Sequence, residues 1–357
     1  MEHVSDAHER TNRRVAERGV VAAGGELGVA AVLYTYRCTI ACRHCCFGCT
    51  GQRPDRRMET GQAVRHLAAL HELGRVIHVA GGECMMYWDD LAELLTAAQG
   101  EGVAPHFIET NCSFAAGDGI VRERLGFLKA RGVTGILLSA DPYHQAFVEP
   151  ERFLRTRRLA REMLGAMNVW CTDEPDERIV EFAEIARDER RLREFVRAAP
   201  PMLVGTAYET LRQHLDDHPL AELPLEAGWR TRYRARDCRI DFARETIWEL
   251  HIDPYDNLQT NCGVILGKAT EIPPKELMAR GPENANPIAS LLAREGPFGL
   301  LALAQREGGF TPPERAHSKC SLCYHVRKHL RPSYPDILGP AEVYGECMPA
   351  GGALGKL

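Results

Sequence analysis

Nowhere does the chain run apolar for the roughly 18 residues that a membrane span needs. Its first residues, MEHVSDAHERTNRR, are polar and partly acidic, unlike a secretory signal. Both absences lead to the expectation of a cytoplasmic protein with no membrane partner. Net charge is also scarce: 44 Lys and Arg stand against 49 Asp and Glu, a formal −5, so no global pull toward nucleic acid or anionic lipid exists. The arginines from Arg152 to Arg161 and from Arg187 to Arg197 form local basic runs, read as solvated helix faces, and no nucleic-acid partner is expected. Internal repeats and low-complexity blocks are missing. A reducing cytosol makes disulfides a poor use for 13 cysteines, so those that cluster point to metal or cluster binding.

What is present is a long alternation of short apolar runs with amphipathic stretches between Gly28 and Thr206, the pattern of strands interleaved with helices in a parallel sheet. The strand candidates are Ala30 to Tyr36, Arg75 to Ala80, Ala104 to Thr110, Gly135 to Ala140, Ala166 to Thr172 and Met202 to Thr206. Helices fit Thr60 to Leu73, Trp88 to Gln99, Asp118 to Ala130, Pro150 to Leu164 and Glu177 to Ala198, the last stopped by Pro200 and Pro201. The second of these puts Leu91, Leu94, Leu95 and Ala98 on one buried stripe. The fold class expected is α/β, a partial (βα)₆ TIM-like barrel, fewer than the eight units of a closed one. At 357 residues the chain exceeds what one core usually supports, and the alternation ends after Pro201. The expected division is an N-terminal arm over 1–27, loose or a short helix, the barrel over 28–219, and a smaller cysteine-containing domain over 220–357. Pro219 to Gly228 reads as a linker, and His251 to Thr260 as strand, turn, strand around Asp256 and Asn257.

Directly after the first strand come Cys38, Cys42 and Cys45, spaced CxxxCxxC, on a loop at the end where parallel-strand folds place ligands and catalysts. Three close thiolates can hold three irons of a [4Fe–4S] cube and leave the fourth iron without a protein ligand. The same trio could bind zinc with His44 or Cys49 as fourth ligand. Cys46 reads as a small buried hydrophobe, and the role of Cys49 stays open. Cys84, Cys112 and Cys171 read as buried thiols near strand ends; any of them that faces a radical could donate a hydrogen atom.

The spacing, with His44 just before the last cysteine, resembles the signature of the radical S-adenosylmethionine (SAM) superfamily. Three further segments extend the resemblance. Gly81-Gly82-Glu83 follows the second strand like the family's GGE element, which engages the amino group of SAM. Thr110-Asn111 closes the third strand like the family's TNG turn, with Cys112 in place of the glycine. Ser139 and Asp141, with His144 beyond them, resemble the SxD segment that faces the ribose and carboxylate of SAM. The resemblance implies a [4Fe–4S] cluster on Cys38, Cys42 and Cys45, SAM as cofactor, and an electron donor such as flavodoxin or ferredoxin. It also implies the reaction: SAM is reductively cleaved to a 5′-deoxyadenosyl radical that abstracts hydrogen from a substrate.

Five cysteines remain: Cys238, Cys262, Cys320, Cys323 and Cys347. Cys320 and Cys323 form a CxxC that could bind zinc, exchange thiols or ligate a second cluster. The segment HIDPYDNLQTNC, ending in Cys262, resembles the turn and cysteine of the SPASM and twitch extensions that hold auxiliary [4Fe–4S] clusters, although Asp256 or Asn257 stands where that family has glycine. One auxiliary cluster is expected, on Cys262, Cys320 and Cys323 with Cys238 or Cys347 as the fourth ligand. Members with such extensions often modify peptides or proteins, and others act on small molecules; a peptide or protein substrate is the expectation. The rival is a non-catalytic iron–sulfur or zinc redox protein.

Overall fold

The computed structural model describes residues 6–223, 238, 242–245 and 247–345. Five apolar runs form the strands β1 (Val29–Leu33), β2 (Val76–Ala80), β3 (Phe107–Thr110), β4 (Gly135–Leu138) and β5 (Val169–Trp170), paired in parallel in the order 5-4-3-2-1. All five residues of β1 and all five of β2 are buried, as expected of strands covered on both faces. The helices that follow them are α2 (Thr60–His71), α3 (Trp88–Gly100), α4 (Asp118–Ala130), the short α5 (Pro142–Gln145) and α6 (Pro150–Leu164). The buried stripe of α3 is Leu91, Leu94, Leu95 and Ala98, the set its 3.6-residue period picks out. The fold is α/β, with a mostly parallel central sheet of the partial TIM-like barrel type.

Three elements differ from the sequence reading. The residues before β1, expected to be loose or a short helix, are helical from Asp6 to Leu27 (α1) on either side of a break at Gly19 (φ 77°), and bury Val15, Val20 and Ala23 against Val29, Val76 and Phe107, so α1 plugs the end of the barrel where the strands begin. The helix expected over Glu177 to Ala198 is two, α7 (Asp176–Arg187) and α8 (Glu189–Ala198). Asp188 separates them because its carboxylate accepts from the N–H groups of Arg190 (2.9 Å) and Arg191 (3.1 Å), an N-cap that outcompetes helix continuation. Met202 to Thr206 is not a strand. It runs beneath the cysteine loop, where the Thr206 N–H donates to the Cys45 carbonyl at 2.9 Å, and leads into α9 (Thr206–Leu211).

Beyond a short pairing of β6 (His218–Pro219) with the later β10 (Arg315–Ala316), the chain returns to the main sheet. The strand β7 (Glu249–Ile252) pairs in parallel with β1 on the side away from β2, and β8 (Asn257–Thr260) and β9 (Ile265–Lys268) extend it antiparallel. The expected turn between β7 and β8 is formed, with Asp256 at φ 61°, a left-handed conformation that Asp tolerates better than most residues. Its carboxylate is held by Gln62 (2.9 Å) and His66 (2.6 Å) of α2. The helices α10 (Pro274–Arg280), α11 (Pro287–Gly308) and α12 (Lys319–Leu330) complete the described chain. Part of the stretch read as a linker, 224–228, lies outside the described residues.

Candidate radical site

The loop after β1 is shaped by backbone contacts with the turn after β2. The Gly82 N–H donates to the Thr35 carbonyl (2.7 Å) and the Glu83 N–H to the Arg37 carbonyl (3.1 Å). A Cβ on Gly82 would collide with that same Arg37 carbonyl, and Gly81 sits at φ 134°, where only glycine is at ease. These glycines therefore let the cysteine loop itself come close. Glu83 is 1% exposed and accepts from the N–H groups of Met85 (3.0 Å) and Asn111 (2.7 Å) and from the Thr110 hydroxyl (2.9 Å). Its carboxylate ties the ends of β2 and β3 together, and burial pushes it up to about 7 against those three donors.

A single cavity of about 480 Å³ opens at the carboxyl ends of the strands, and Cys38, Cys42, His44, Cys45, Gly81, Gly82, Thr110, Asn111, Ser139, Asp141 and His144 all line it. Glu83 is not among its walls. Each sulfur of the trio has a polar neighbour of its own. The Asn111 amide donates to Cys38 Sγ at 3.6 Å, the Cys49 N–H donates to Cys45 Sγ at 3.3 Å, and a His144 ring nitrogen lies within 4.8 Å of Cys42 Sγ. Cys45 is pulled down to about 6 by the Cys49 thiol and, against burial, by the N–H groups of Cys49, Phe47 and Gly48. Burial pushes Cys38 and Cys42 up, and His144 partly offsets this at Cys42. Three soft sulfur donors on one cavity wall, two with an outer hydrogen bond and the third beside an imidazole, fit an iron–sulfur cube.

Asp141 organises the far wall. As the N-cap of α5 it accepts from the N–H groups of Tyr143 (2.8 Å) and His144 (3.0 Å), and its second oxygen meets His144 Nδ1 at 2.9 Å and His44 Nε2 at 3.4 Å. Burial works against the charge, but the two imidazoles and the N–H groups hold Asp141 well below the usual carboxylate range. His44 stacks on Tyr143 with ring centroids 4.5 Å apart. The potential metal-binding atoms of Cys42, His44 and His144 lie within 4.8 Å of one another, so this corner also offers a sulfur and two nitrogens.

Cys46 and Cys49 line the cavity as well. Cys46 is only partly buried, which departs from its reading as a small core hydrophobe, and Cys49 is spent on the Cys45 sulfur. Cys84 and Cys112 are fully buried, and neither they nor Cys171 line the cavity. Cys112 occupies the place of the expected glycine at φ 66°. The lower walls hold residues that motif reasoning missed: His78, Glu109, Glu249 and His251, above Phe107, Trp170 and Trp248. Their only signal was a polar residue at an inward position of an apolar strand, as in VIHVA and FIET.

Of the remaining cysteines, Cys262 and Cys323 share a neighbour elsewhere. Cys323 and Cys262 both act on the charge of the buried Arg327 of α12, whose guanidinium donates to the Cys262 carbonyl at 2.8 Å. Cys320 precedes Cys323 in the first turn of α12, and Cys238 lies about 4.0 Å from where a Cβ on Gly296 would stand. Cys347 lies outside the described residues.

Fold and cavity together define an α/β barrel-type protein with a thiolate site at the carboxyl ends of its strands. Residues 32–189 match the family model described as Radical SAM superfamily, which takes in the cysteine trio and the segments after β2, β3 and β4. The match takes in less than half of the chain and supports the superfamily, and with it an enzyme that uses a [4Fe–4S] cluster and SAM. No curated protein matches the chain. No helix among the described residues is long and apolar enough to cross a membrane.

Proposed function

We propose that the protein is a radical SAM enzyme in which Cys38, Cys42 and Cys45 hold the [4Fe–4S] cluster, and that it modifies a peptide or protein. The observation that carries the reading is the convergence of three sulfurs, each with its own polar neighbour, on the cavity bordered by Gly81, Thr110, Asn111 and Ser139. When bound, the cluster supplies one electron to the sulfonium of SAM, and the 5′-deoxyadenosyl radical so released abstracts hydrogen from the substrate. The chain's own part is positional. Asn111, His144 and the Cys49 N–H steady the sulfurs, Asp141 fixes His44 and His144, and backbone groups at Gly81 and Gly82 border the space for SAM. A flavodoxin or ferredoxin supplies the electron. Cluster and SAM would share this cavity of about 480 Å³ with the substrate, which favours a second reading in which the substrate is a small metabolite or enters as a single side chain.

The C-terminal thiols extend the proposal. Arg327 is 1% exposed and makes no ion pair among the described residues, and a buried cation is costly without an anionic partner. An auxiliary cluster on Cys262, Cys320 and Cys323, completed by Cys238 or Cys347, would supply that charge in the manner of a SPASM or twitch extension. Anaerobic reconstitution with iron and sulfide tests both parts. Wild type is expected to take up about eight irons, four per cluster, and to release 5′-deoxyadenosine on reduction with SAM. Cys42→Ser is expected to keep about four irons and release none. A wild-type protein loaded with iron that leaves SAM intact, or one that takes up only zinc, overturns the reading.

A further inference from the structure

The lower half of the cavity carries a polar cluster that lies outside the segments read as cluster and SAM contacts. In the sheet register, Ala31 of β1 lies between His78 of β2 and His251 of β7. Its single methyl leaves room for the two larger residues to face each other across the lumen. His78 is 2% exposed, yet neither ring nitrogen has a hydrogen-bond partner. Glu109 stands 4.0 Å from one nitrogen and Glu249 3.7 Å from the other, too far for hydrogen bonds. Glu249 is held by His251 at 3.0 Å, whereas the Glu109 carboxylate, 38% accessible and lining the cavity, accepts no hydrogen bond among the described residues. Buried polar groups are normally paired, so a buried imidazole with both nitrogens unpaired, beside a carboxylate that faces the cavity with no donor among the described residues, fits a ligand that brings the missing partners.

We propose that this cluster binds the amine of the substrate, with Glu109 and Glu249 receiving its ammonium and His78 completing the hydrogen bonds. This rests on reading the cavity as a radical SAM site, and names the substrate class for it. Two carboxylates lining one cavity repel a carboxylate or phosphate and attract a cation, and a charge-assisted bond to an ammonium is the strong kind. The surrounding rings of Phe47, Phe107 and Trp170 suit a short alkyl stem and add attraction through their faces. The protonation states agree: burial drives His78 down to about 3, leaving it neutral, and burial followed by Glu249 pushes Glu109 up to about 7, both symptoms of charges short of partners. The amine can belong to a peptide, as a lysine side chain, or to a small metabolite.

Ligand-observed NMR on the reconstituted full-length protein separates these outcomes, with n-butylammonium, n-butanol, butyrate and Nα-acetyl-lysine methylamide as probes, each with and without saturating SAM. Butylammonium is expected to bind at least about tenfold more tightly than butanol or butyrate, and Glu109→Gln to abolish the difference. Tighter binding of the lysine derivative assigns the amine to a peptide, and equal binding to a free amine. The series on wild type stands alone if the variant fails to fold. Butyrate or butanol binding as well as the amine overturns the inference, as does an amine signal unchanged in Glu109→Gln. Loss of amine binding under SAM also overturns it, because the carboxylates would then serve the ammonium of SAM itself. Failure of the protein to cleave SAM overturns the reading beneath it and is measured separately, as 5′-deoxyadenosine.

Discussion

Cys112 sits at φ 66° with no exposure, a conformation that costs an L-residue roughly 1–2 kcal/mol. The chain tolerates it because the neighbours over-determine the turn: the Cys112 N–H donates to the Thr110 hydroxyl at 3.1 Å, and the Ser113 N–H to the Asn111 side chain at 2.9 Å. The strain thus holds Asn111 where its amide reaches Cys38 Sγ and the Thr39 hydroxyl. Cys112→Gly and Cys112→Ala both remove the thiol and differ in the backbone penalty. Cys112→Gly is expected to be the more stable of the two by about 1 kcal/mol in urea unfolding, and equal midpoints would show that the turn carries no strain. At this scale sequence reasoning reached the residue types: of the positions read as contacting the cofactor, all but Glu83 border the cavity. Glu83 could not be placed from its motif, because its direction is set by three donors on β3 and the turn after β2, which only the folded chain assembles.

At the scale of elements, α1 seals the barrel through a layer of histidines. His8 meets His71 of α2 edge-on at 3.9 Å, and His71 lies 5.5 Å from His106. Burial, reinforced by the neighbouring imidazoles, lowers His71 to about 4 and His106 to about 3, and burial lowers His8 against the pull of Glu72. In the unfolded chain these rings titrate near 6.5, so below that pH the unfolded state takes up protons first. Their contribution is complete above pH 6.5 and drains away as pH falls toward about 4. At pH 5 this amounts to about 2 kcal/mol for each ring that stays neutral in the folded chain. Urea unfolding across this window is expected to show stability falling with pH, with a slope shallower by about one proton in His71→Phe; parallel slopes would contradict the account. The sequence leaves these residues as a loose arm or a short helix because the charged face masks a sparse apolar stripe, and burial of that stripe depends on Val76 and Phe107, far along the chain. The misread strand at Met202 to Thr206 has the same origin. An apolar run beside two prolines fits a strand by composition, but its backbone is claimed by the Cys45 carbonyl.

Across the whole molecule, the sheet joins two parts of the chain that the sequence reading kept apart. The strand β7 pairs with β1 along its length, so Glu249 and His251 enter the lumen beside residues of the first four strands. Nothing local in HIDPYDNLQT announces this, since the hairpin signal fixes the β7 to β8 turn and leaves open which edge β7 will join. The cysteine loop, by contrast, was legible from its spacing alone, because three thiols within eight residues can converge without help from distant chain. What the spacing could not give is the set of outer donors, which arrive from β3, from α5 and from the loop's own backbone.

The central claim is that Cys38, Cys42 and Cys45 hold the cluster, which would leave one iron free for the amine and carboxylate of SAM. Electron-nuclear double resonance on the reduced, reconstituted protein tests it directly, using SAM labelled with ¹⁵N at the methionyl amine and ¹⁷O at the carboxylate. The account predicts hyperfine coupling of both labels to the cluster in wild type. A fully loaded cluster that shows neither coupling would contradict it.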